Sequence, residues 1–322
     1  MYNEYGDNNM LKIYKKLEQN PIETLTEPVT DSWIHMVNPA KEEIDEITNL
    51  TGIDRDLITK VLDLEELPRI EKGKNGTLII VNTPDKLEKN SKHKYKTIPL
   101  GIIITDTNYL ITVTVKENEI INEMIESNIK ELDTAKKTRF TIQILLKTAV
   151  KYLKYLNMIN EEISNKERIL YKSTQNKELS HLLSLQKSLV YFVSSLKAND
   201  IILEKLNKGN ALPLYEEDLE LLEDAMIENR QGIEMANIYR EILDTVSDTY
   251  ATIISNNLNS IMKFLAGITI VFSIPTMIAS FLGMNVPLGF LSTNDFSFIG
   301  IIIVSIIISF LIAKWLKKKN ML

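Results

Sequence analysis

Two apolar segments near the C-terminus constrain this chain more than any other feature of its sequence. The first covers residues 261–282 and has one charged residue, Lys263, close to its start. The second begins at Phe296 or Phe298, ends at Ile312 and is followed by a run of lysines. Because about 20 apolar residues cross a bilayer as a helix, these segments predict two membrane spans.

The charges around these segments predict how they lie in a membrane. Lys314 and Trp315 follow the second segment and extend it to the membrane surface. The connecting segment, residues 286–297, has Asp295 as its only charge. Since lysine and arginine favour the cytoplasmic side, we expect Lys263 and the C-terminal lysines on that side. The connecting loop is then outside, and both termini are cytoplasmic.

One face of the first span carries small, amide-bearing or hydroxyl-bearing side chains, and we call this face the polar edge. Alternate steps of three and four residues bring its members together on a helix. They are Asn259, Met262, Ala266, Thr269, Ser273, Thr276, Ser280 and Gly283. Such residues also line ordinary contacts between membrane helices. The sequence leaves three alternatives. The two spans are only an anchor, the polar edge packs against the second span, or the polar edge faces a pathway enclosed by several copies of the chain. We favour the pathway.

The composition argues against several classes of protein. The chain has no cysteine, which removes disulfides and thiolate metal sites. The three histidines, His35, His93 and His181, lie in unlike contexts and are expected to be structural or solvated. A formal net charge of −6 disfavours nucleic acid as a partner and favours a cation. No phosphate-binding glycine loop or nucleophile motif is present, so neither an enzyme nor an organic cofactor is expected.

The part of the chain before the spans shows strand patterns followed by helix patterns. β-branched runs predict strands of a small α/β domain at residues 77–81, 95–105 and 109–115. Long periodic segments predict helices at about residues 138–171 and 177–206. After Pro213, three-and-four spacing continues as far as the first span. This continuity predicts a stalk helix that runs into the membrane without a break.

The predicted fold class is an α+β membrane protein: a cytoplasmic α/β domain is followed by long helices, a stalk helix continuous with the first transmembrane helix, and a second transmembrane helix. Separately, we expect the chain to divide into seven segments. They are a cytoplasmic α/β domain (1–130), a cytoplasmic long-helix region (131–212), a stalk helix (213–260), a first transmembrane helix (261–285), an outward-facing loop (286–297), a second transmembrane helix (298–316) and a basic cytoplasmic tail (317–322).

A Gly-Met-Asn tripeptide, residues 283–285, ends the first span. Four further stretches accompany it, at residues 33–39, 68–71, 98–105 and 109–113. In this order they resemble the CorA family of magnesium transporters over nearly the whole chain. The chain departs from many members at Leu282, where those members have an aromatic residue.

The resemblance implies a homopentamer in the plasma membrane, with the first span of each subunit lining a pore. Asn285 would form a ring at the outer mouth, and Gly283 and Met284 would shape the turn that holds it. A gap-free alignment from the tripeptide also implies pore positions that lie on the polar edge. These are Asn259, Met262, Thr269, Ser273 and Thr276. Ser280 belongs to the same face by its spacing.

The resemblance also implies regulation by divalent ions that bridge acidic residues of neighbouring cytoplasmic domains. An acidic run begins the stalk helix, and such a run is most often only a solvated face. Counting back from the tripeptide places the stalk acid of the regulatory site at Asp224, while Asp85 and Glu88 are candidate partners across the interface. An ion shared by two subunits would stabilise only the arrangement that brings its ligands together.

Magnesium suits a polar edge of this kind. Mg²⁺ gives up its water reluctantly, so amide and hydroxyl oxygens that bind the hydrated ion are appropriate. The spans contain no Asp, Glu or His, which argues against a proton relay. The membrane potential supplies about 4.6 kcal/mol per divalent ion per 100 mV. We therefore expect potential-driven Mg²⁺ uptake, gated by cytoplasmic Mg²⁺. The alternatives are a Zn²⁺, Co²⁺ or Ni²⁺ transporter on the same scaffold and a non-conducting membrane scaffold or sensor.

Overall fold

The computed structural model describes residues 10–17, 21–87, 94–126, 132–170, 176–209, 211–284, 296–319 and 321. The chain forms two compact units, Met1–Thr245 and Val246–Leu322. Seven strands lie in the first unit: β1 (Met10–Lys15), β2 (Glu23–Leu25), β3 (Trp33–Val37), β4 (Arg69–Gly73), β5 (Gly76–Lys86), β6 (Tyr95–Thr105) and β7 (Leu110–Thr114).

Among the described residues, seven α-helices accompany the strands. They are α1 (Lys41–Thr51), α2 (Asp56–Thr59), which continues as a 3₁₀ turn (Lys60–Leu62), α3 (Glu119–Glu126), α4 (Lys137–Leu170), α5 (Asn176–Asn207), α6 (Glu216–Leu282) and α7 (Ser297–Lys318). Helix α6 contains both the predicted stalk and the first span as one 67-residue element. The predicted fold class is therefore confirmed.

The strands form one sheet in the order β2-β1-β3-β7-β6-β5-β4. All neighbours are antiparallel except β3 and β7, which are parallel. The hairpin from β4 to β5 turns at Asn75, whose φ of 55° is tolerated by asparagine better than by most residues. Residues 88–93, between β5 and β6, lie outside the described residues.

Side chains cover both faces of the central strands. In β5, Leu78 and Ile80 belong to a core with α1 and α2, while Ile79 and Val81 belong to a second core with the long helices. A strand buried on both faces has a continuous apolar run instead of an alternating one, and this explains why residues 77–81 were recognisable. Gly101 in β6 lets the 3₁₀ turn lie close, because a Cβ there would overlap the side chain of Val61.

The second core anchors the long helices to the sheet. Phe140 of α4 and Leu203 of α5 are buried in it, and so are Leu222 and Ala225 from the first turns of α6. Trp33 of β3 contacts Phe140, with ring centroids 4.9 Å apart. The start of α6 is thus held by the first unit through apolar packing, which fixes the position of the acidic residues on its remaining faces.

Candidate functional site

Two helices among the described residues are long and apolar enough to cross a membrane, α6 and α7. Their large apolar side chains are exposed in the single chain, with Phe272 at 72% and Phe298 at 72% of full exposure. An apolar band of this extent is unfavourable in water. Lipid or further subunits must therefore cover it.

The hydroxyl groups of the polar edge are oriented by the helix itself. Three of its four hydroxyl side chains donate their proton to a backbone carbonyl three or four residues earlier. The bonds are Thr269 Oγ1 to Leu265 O at 2.8 Å, Ser273 Oγ to Ile270 O at 2.8 Å and Thr276 Oγ1 to Phe272 O at 3.2 Å. With the proton directed to the backbone, the remaining lone pairs of each hydroxyl oxygen can accept hydrogen bonds from outside the helix.

The polar edge is open in the single chain. All of its predicted pore residues are exposed, namely Asn259, Met262, Thr269, Ser273, Thr276 and Ser280. The opposite face is buried at Gly267 and partly buried at Val271, Ile274 and Ile278. No described segment of the same chain, including α7, covers the polar edge. It is therefore available to other copies, to solvent or to lipid.

Pro275 lies inside α6, between the hydroxyls of Ser273 and Thr276. Proline has no N–H, so it cannot donate to the carbonyl of Val271 as a residue at this helical position otherwise would. Spanning helices tolerate proline because nearby hydroxyls, waters and adjacent helices satisfy the freed group. The local sequence thus concentrates backbone and side-chain oxygens in one turn of the spanning helix.

The tripeptide begins where α6 ends. The helix stops at Leu282, and the N–H of Gly283 still donates to the carbonyl of Ala279 at 2.9 Å. The N–H of Met284 lies 3.4 Å from the carbonyl of Phe281, and the Met284 side chain is 55% exposed. Asn285 lies outside the described residues, so its role at the pore mouth stays a prediction.

The acidic start of α6 has two kinds of residue. Asp218 is buried and pairs with Arg139 at 3.3 Å, and Glu217 pairs with Lys136 at 2.8 Å. These pairs hold the helix start against α4, a role that the sequence did not indicate. Asp224 is exposed and forms no ion pair with a described residue. Within the described residues of one chain, no three metal-binding side chains come together.

Asp85, one of the two candidate partners for Asp224, has a partner in its own chain. Its carboxylate lies 2.5 Å from the ammonium group of Lys116, and its side chain is 13% exposed. Burial raises the pKa of Asp85, while Lys116 opposes this effect. The other candidate, Glu88, lies outside the described residues.

A second charged cluster, which sequence reasoning missed, lies beside α3. The ammonium group of Lys151 lies 2.5 Å from Glu119 and 2.7 Å from Glu123, and Tyr155 donates to Glu119 at 2.8 Å. Burial is the largest influence on the pKa of Lys151 and would lower it. The two carboxylates nevertheless raise that pKa above its ordinary value. The two glutamates are about 30 residues away from Lys151 and Tyr155 in the sequence. No local sequence pattern therefore predicts the cluster.

The two described histidines, His35 and His181, occupy unlike contexts, as predicted. His35 is buried in β3, and its Nδ1 atom lies 2.9 Å from Thr112 Oγ1. The same hydroxyl oxygen accepts a hydrogen bond from Trp33 Nε1 at 2.8 Å. Burial lowers the pKa of His35 to about 4. His181 Nε2 lies 3.1 Å from Glu162 Oε2, and His93 lies outside the described residues. His35 is therefore a neutral core residue.

Known proteins resemble this chain over most of its length. The curated cobalt/magnesium transport protein CorA of Methanocaldococcus jannaschii is 30% identical over 263 residues, which cover 79% of this chain and 79% of that protein. The protein of the same name from Thermotoga maritima is 21% identical over 263 residues, which cover 80% of this chain and 73% of that protein. The solved complete structure of the CorA magnesium transporter from Methanocaldococcus jannaschii has a TM-score of 0.80 at 24% identity, covering 95% of this chain and 96% of that one.

The family comparison agrees with these relatives. The structural likeness shows a common fold. The family model described as CorA-like Mg²⁺ transporter protein matches residues 31–318, from the start of β3 to the end of α7. The resemblance inferred from the tripeptide and its accompanying stretches is confirmed. The chain belongs to the family of CorA-like Mg²⁺ transporter proteins.

Proposed function

We propose that five copies of this chain form a channel in the plasma membrane that takes up Mg²⁺, with the polar edge of α6 lining the pore. Membership of the CorA-like family supports transport of a divalent cation. Two spans in one chain are too few to enclose a pathway, so the pore needs several copies. The stoichiometry of five comes from the resemblance to the family.

The observation that carries this proposal is the orientation of the hydroxyls on the polar edge. A hydrated Mg²⁺ ion turns its water oxygens toward the metal and its water hydrogens outward. The pore-lining side chains that contact the hydrated ion must therefore accept hydrogen bonds. Thr269, Ser273 and Thr276 have directed their own protons to the backbone, which leaves acceptor lone pairs at the surface.

Weak hydrogen-bond acceptors also suit conduction. An ion must bind well enough to enter the pore and weakly enough to leave it. A carboxylate would bind a divalent ion much more strongly, but residues 249–294 contain no Asp or Glu. Removing the inner water shell of Mg²⁺ is slow and costly. Hydroxyl and amide oxygens that contact only the outer waters avoid that cost.

The driving force is the membrane potential. Two charges moved through 100 mV gain about 4.6 kcal/mol, which favours accumulation of Mg²⁺ without a coupled ion. The spans offer no Asp, Glu or His for a proton relay. Uptake should therefore rise when the inside is made more negative and should not require a proton gradient.

Cytoplasmic Mg²⁺ closes the channel in this proposal by binding between subunits near Asp224. The exposed carboxylate of Asp224 lies on α6, the same helix that carries the polar edge. An ion that bridges two subunits stabilises the closed arrangement, and its loss shifts the population toward the open one.

The decisive experiment is Mg²⁺ uptake by the full-length protein in vesicles that contain a Mg²⁺-sensitive dye. Asn285→Ala should leave the assembly intact in light scattering and abolish uptake. Asn257→Ala is a matched control, because Asn257 is exposed on another face of α6 and precedes the span. Unchanged uptake by Asn285→Ala would refute the proposed asparagine ring.

Co²⁺ is a second candidate cargo, since the curated relatives are named cobalt/magnesium transport proteins. Competition between Co²⁺ and Mg²⁺ during uptake distinguishes a shared pathway from a selective one. Zn²⁺ and Ni²⁺ are tested in the same assay. A flat conductance trace in bilayers that contain the purified protein would instead support a non-conducting scaffold or sensor.

A further inference from the structure

The end of α7 carries a cluster of lysines that form no ion pair with a described acidic residue. Lys314, Lys317 and Lys318 are separated by three and four residues and therefore share one face of the helix. All three are exposed, and none forms an ion pair with a described residue. Leu316, on the opposite side of the helix, is only 1% exposed. The lysine face is thus turned away from the packed side of α7.

The sequence around this lysine face offers almost no acidic counterion. From residue 249 to residue 322, the only acidic residue is Asp295. Asp295 lies in the segment between the two spans, whereas the lysines follow the second span. Positive charges left without a partner at a membrane surface require counterions from the solution or from the lipid.

Two further residues place the lysine face at the membrane boundary. Lys263 lies 19 positions before the end of α6 at Leu282, and Lys314 lies 17 positions after the start of α7 at Ser297. At 1.5 Å per residue, both are roughly 25 to 30 Å from the connecting loop, which is about the thickness of the hydrocarbon layer. Trp315 is 58% exposed and flanks the lysines. Tryptophan is enriched at membrane–water interfaces.

We infer that Lys314, Lys317 and Lys318 form a binding surface for the phosphate groups of anionic phospholipids, with Lys263 contributing at the same depth. Lysine clusters just beyond a span bind anionic lipid on the cytoplasmic leaflet, where such lipids give a negative surface potential. The apolar stems of the lysines lie along the acyl chains while the ammonium groups reach the phosphates. This inference rests on the proposed membrane topology, with the C-terminal end of α7 on the cytoplasmic side.

The fluorescence of Trp315 can report contact between this lysine surface and lipid. The chain has two tryptophans, of which Trp33 is fully buried in the first unit and Trp315 is beside the lysines. Brominated lipids quench tryptophan fluorescence on contact. In vesicles containing the full-length protein, the signal of Trp315 is obtained by subtracting that of the Trp315→Phe variant, which retains Trp33.

Brominated phosphatidylglycerol should quench Trp315 more strongly than brominated phosphatidylcholine. Each lysine near an anionic surface strengthens binding by roughly fivefold, so we expect at least about a fivefold preference for phosphatidylglycerol. The triple variant Lys314→Gln, Lys317→Gln and Lys318→Gln should lose the preference. The matched control replaces three exposed lysines of the sheet by glutamine, Lys72, Lys74 and Lys86, and should retain it.

The outcomes separate this inference from the proposed channel. Equal quenching by both lipids, or a preference that survives in the triple variant, overturns the lipid surface and leaves the membrane topology intact. Equal quenching by both lipids, together with a change of Trp315 fluorescence when inorganic phosphate is added, shows that the lysines bind a soluble anion instead. Absence of quenching by either lipid overturns the topology as well. The channel itself is tested independently by the uptake assay with Asn285→Ala.

Discussion

Asp85 and Lys116 form a partly buried ion pair at 2.5 Å, between the end of β5 and the segment after β7. Burial raises the pKa of the Asp85 carboxyl, and Lys116 is the main influence in the opposite direction. The carboxylate is therefore compensated inside its own chain. Such a group is poorly placed to share a divalent ion with Asp224 of another subunit.

Removal of Lys116 should destabilise the first unit. Lys116→Met leaves the Asp85 carboxylate without its cation, and we expect the free energy of unfolding to fall by about 2 to 3 kcal/mol at neutral pH. The measurement is a urea titration of the solubilised protein, followed by the fluorescence of Trp33 in a Trp315→Phe background.

Adding Asp85→Asn to Lys116→Met should restore most of the lost stability, because a neutral amide needs no cation. The control Lys136→Met breaks a pair with Glu217 whose two side chains are 48% and 55% exposed. Solvent screens such a pair, so its loss should change the midpoint little. A Lys116→Met midpoint equal to that of the wild type would contradict the importance of the buried pair.

His35 should make the stability of the first unit depend on pH. The ordinary pKa of histidine is 6.5, and in the folded chain the pKa of His35 is about 4. Burial is the main cause of this decrease, and the nearby positive charge of Lys12 adds to it. The unfolded chain therefore binds the proton more readily, so stability is complete above pH 6.5 and is lost as pH falls toward 4. At pH 4.5 the loss is about 2 to 3 kcal/mol.

The contribution of His35 is isolated by comparison with His35→Gln, which cannot take up this proton. Urea midpoints from Trp33 fluorescence at pH 7 and pH 4.5 give the pH dependence of each protein. The wild type should lose more stability between the two values than His35→Gln does. Equal losses would show that other groups, chiefly carboxylates, cause the whole effect.

The hydroxyl of Thr269 should contribute to ion flux. Thr269→Val keeps the shape of the side chain and removes the oxygen that accepts a hydrogen bond from a hydrated ion. A hydrogen bond is worth about 1 kcal/mol, so the initial rate of Mg²⁺ uptake should fall by roughly fivefold. The dye-loaded vesicles described above provide the measurement.

Thr252→Val is the matched control for Thr269→Val. Thr252 is also exposed on α6 and donates to a backbone carbonyl, that of Asp248 at 3.0 Å, but it precedes the span. Its replacement should leave the uptake rate unchanged. Equal rates for Thr269→Val and the wild type would remove Thr269 from the pore lining.

Local periodicity explains what could be predicted from the sequence. The positions of Thr269, Ser273 and Thr276 on one face follow from helix geometry alone, so the polar edge was visible without a structure. The strand at residues 77–81 was recognisable because its two buried faces give a continuous apolar run. In both cases the signal lies within a few neighbouring residues.

Long-range pairings were not visible in the sequence. The short strands β1 and β2, at one end of the sheet, have no continuous apolar run. The parallel pairing of β3 with β7 joins Trp33 to Leu110 across a long connection. The ion pairs of Asp85 with Lys116 and of Arg139 with Asp218 also join distant positions. Charged residues are common on every surface, so sequence alone does not select which of them meet.

The inhibition of uptake by internal Mg²⁺ should weaken when the charge of Asp224 is reversed. Asp224 is exposed, forms no ion pair with a described residue and lies on the helix that carries the polar edge. In the proposed closed state its carboxylate binds an ion shared with another subunit. Asp224→Lys replaces that ligand by a positive charge that repels the ion. The internal Mg²⁺ concentration for half-inhibition should therefore rise at least about tenfold, which corresponds to about 1.4 kcal/mol of binding free energy.

Uptake at very low internal Mg²⁺ separates a regulatory role of Asp224 from a structural one. If Asp224 acts only on closure, the variant and the wild type should take up Mg²⁺ at the same initial rate when the vesicles contain none. Glu241→Lys makes the same kind of charge reversal at another exposed position of α6, and it should retain the wild-type inhibition curve. A normal curve for Asp224→Lys, or an equal shift in both variants, would mean that closure does not depend on an ion held at Asp224.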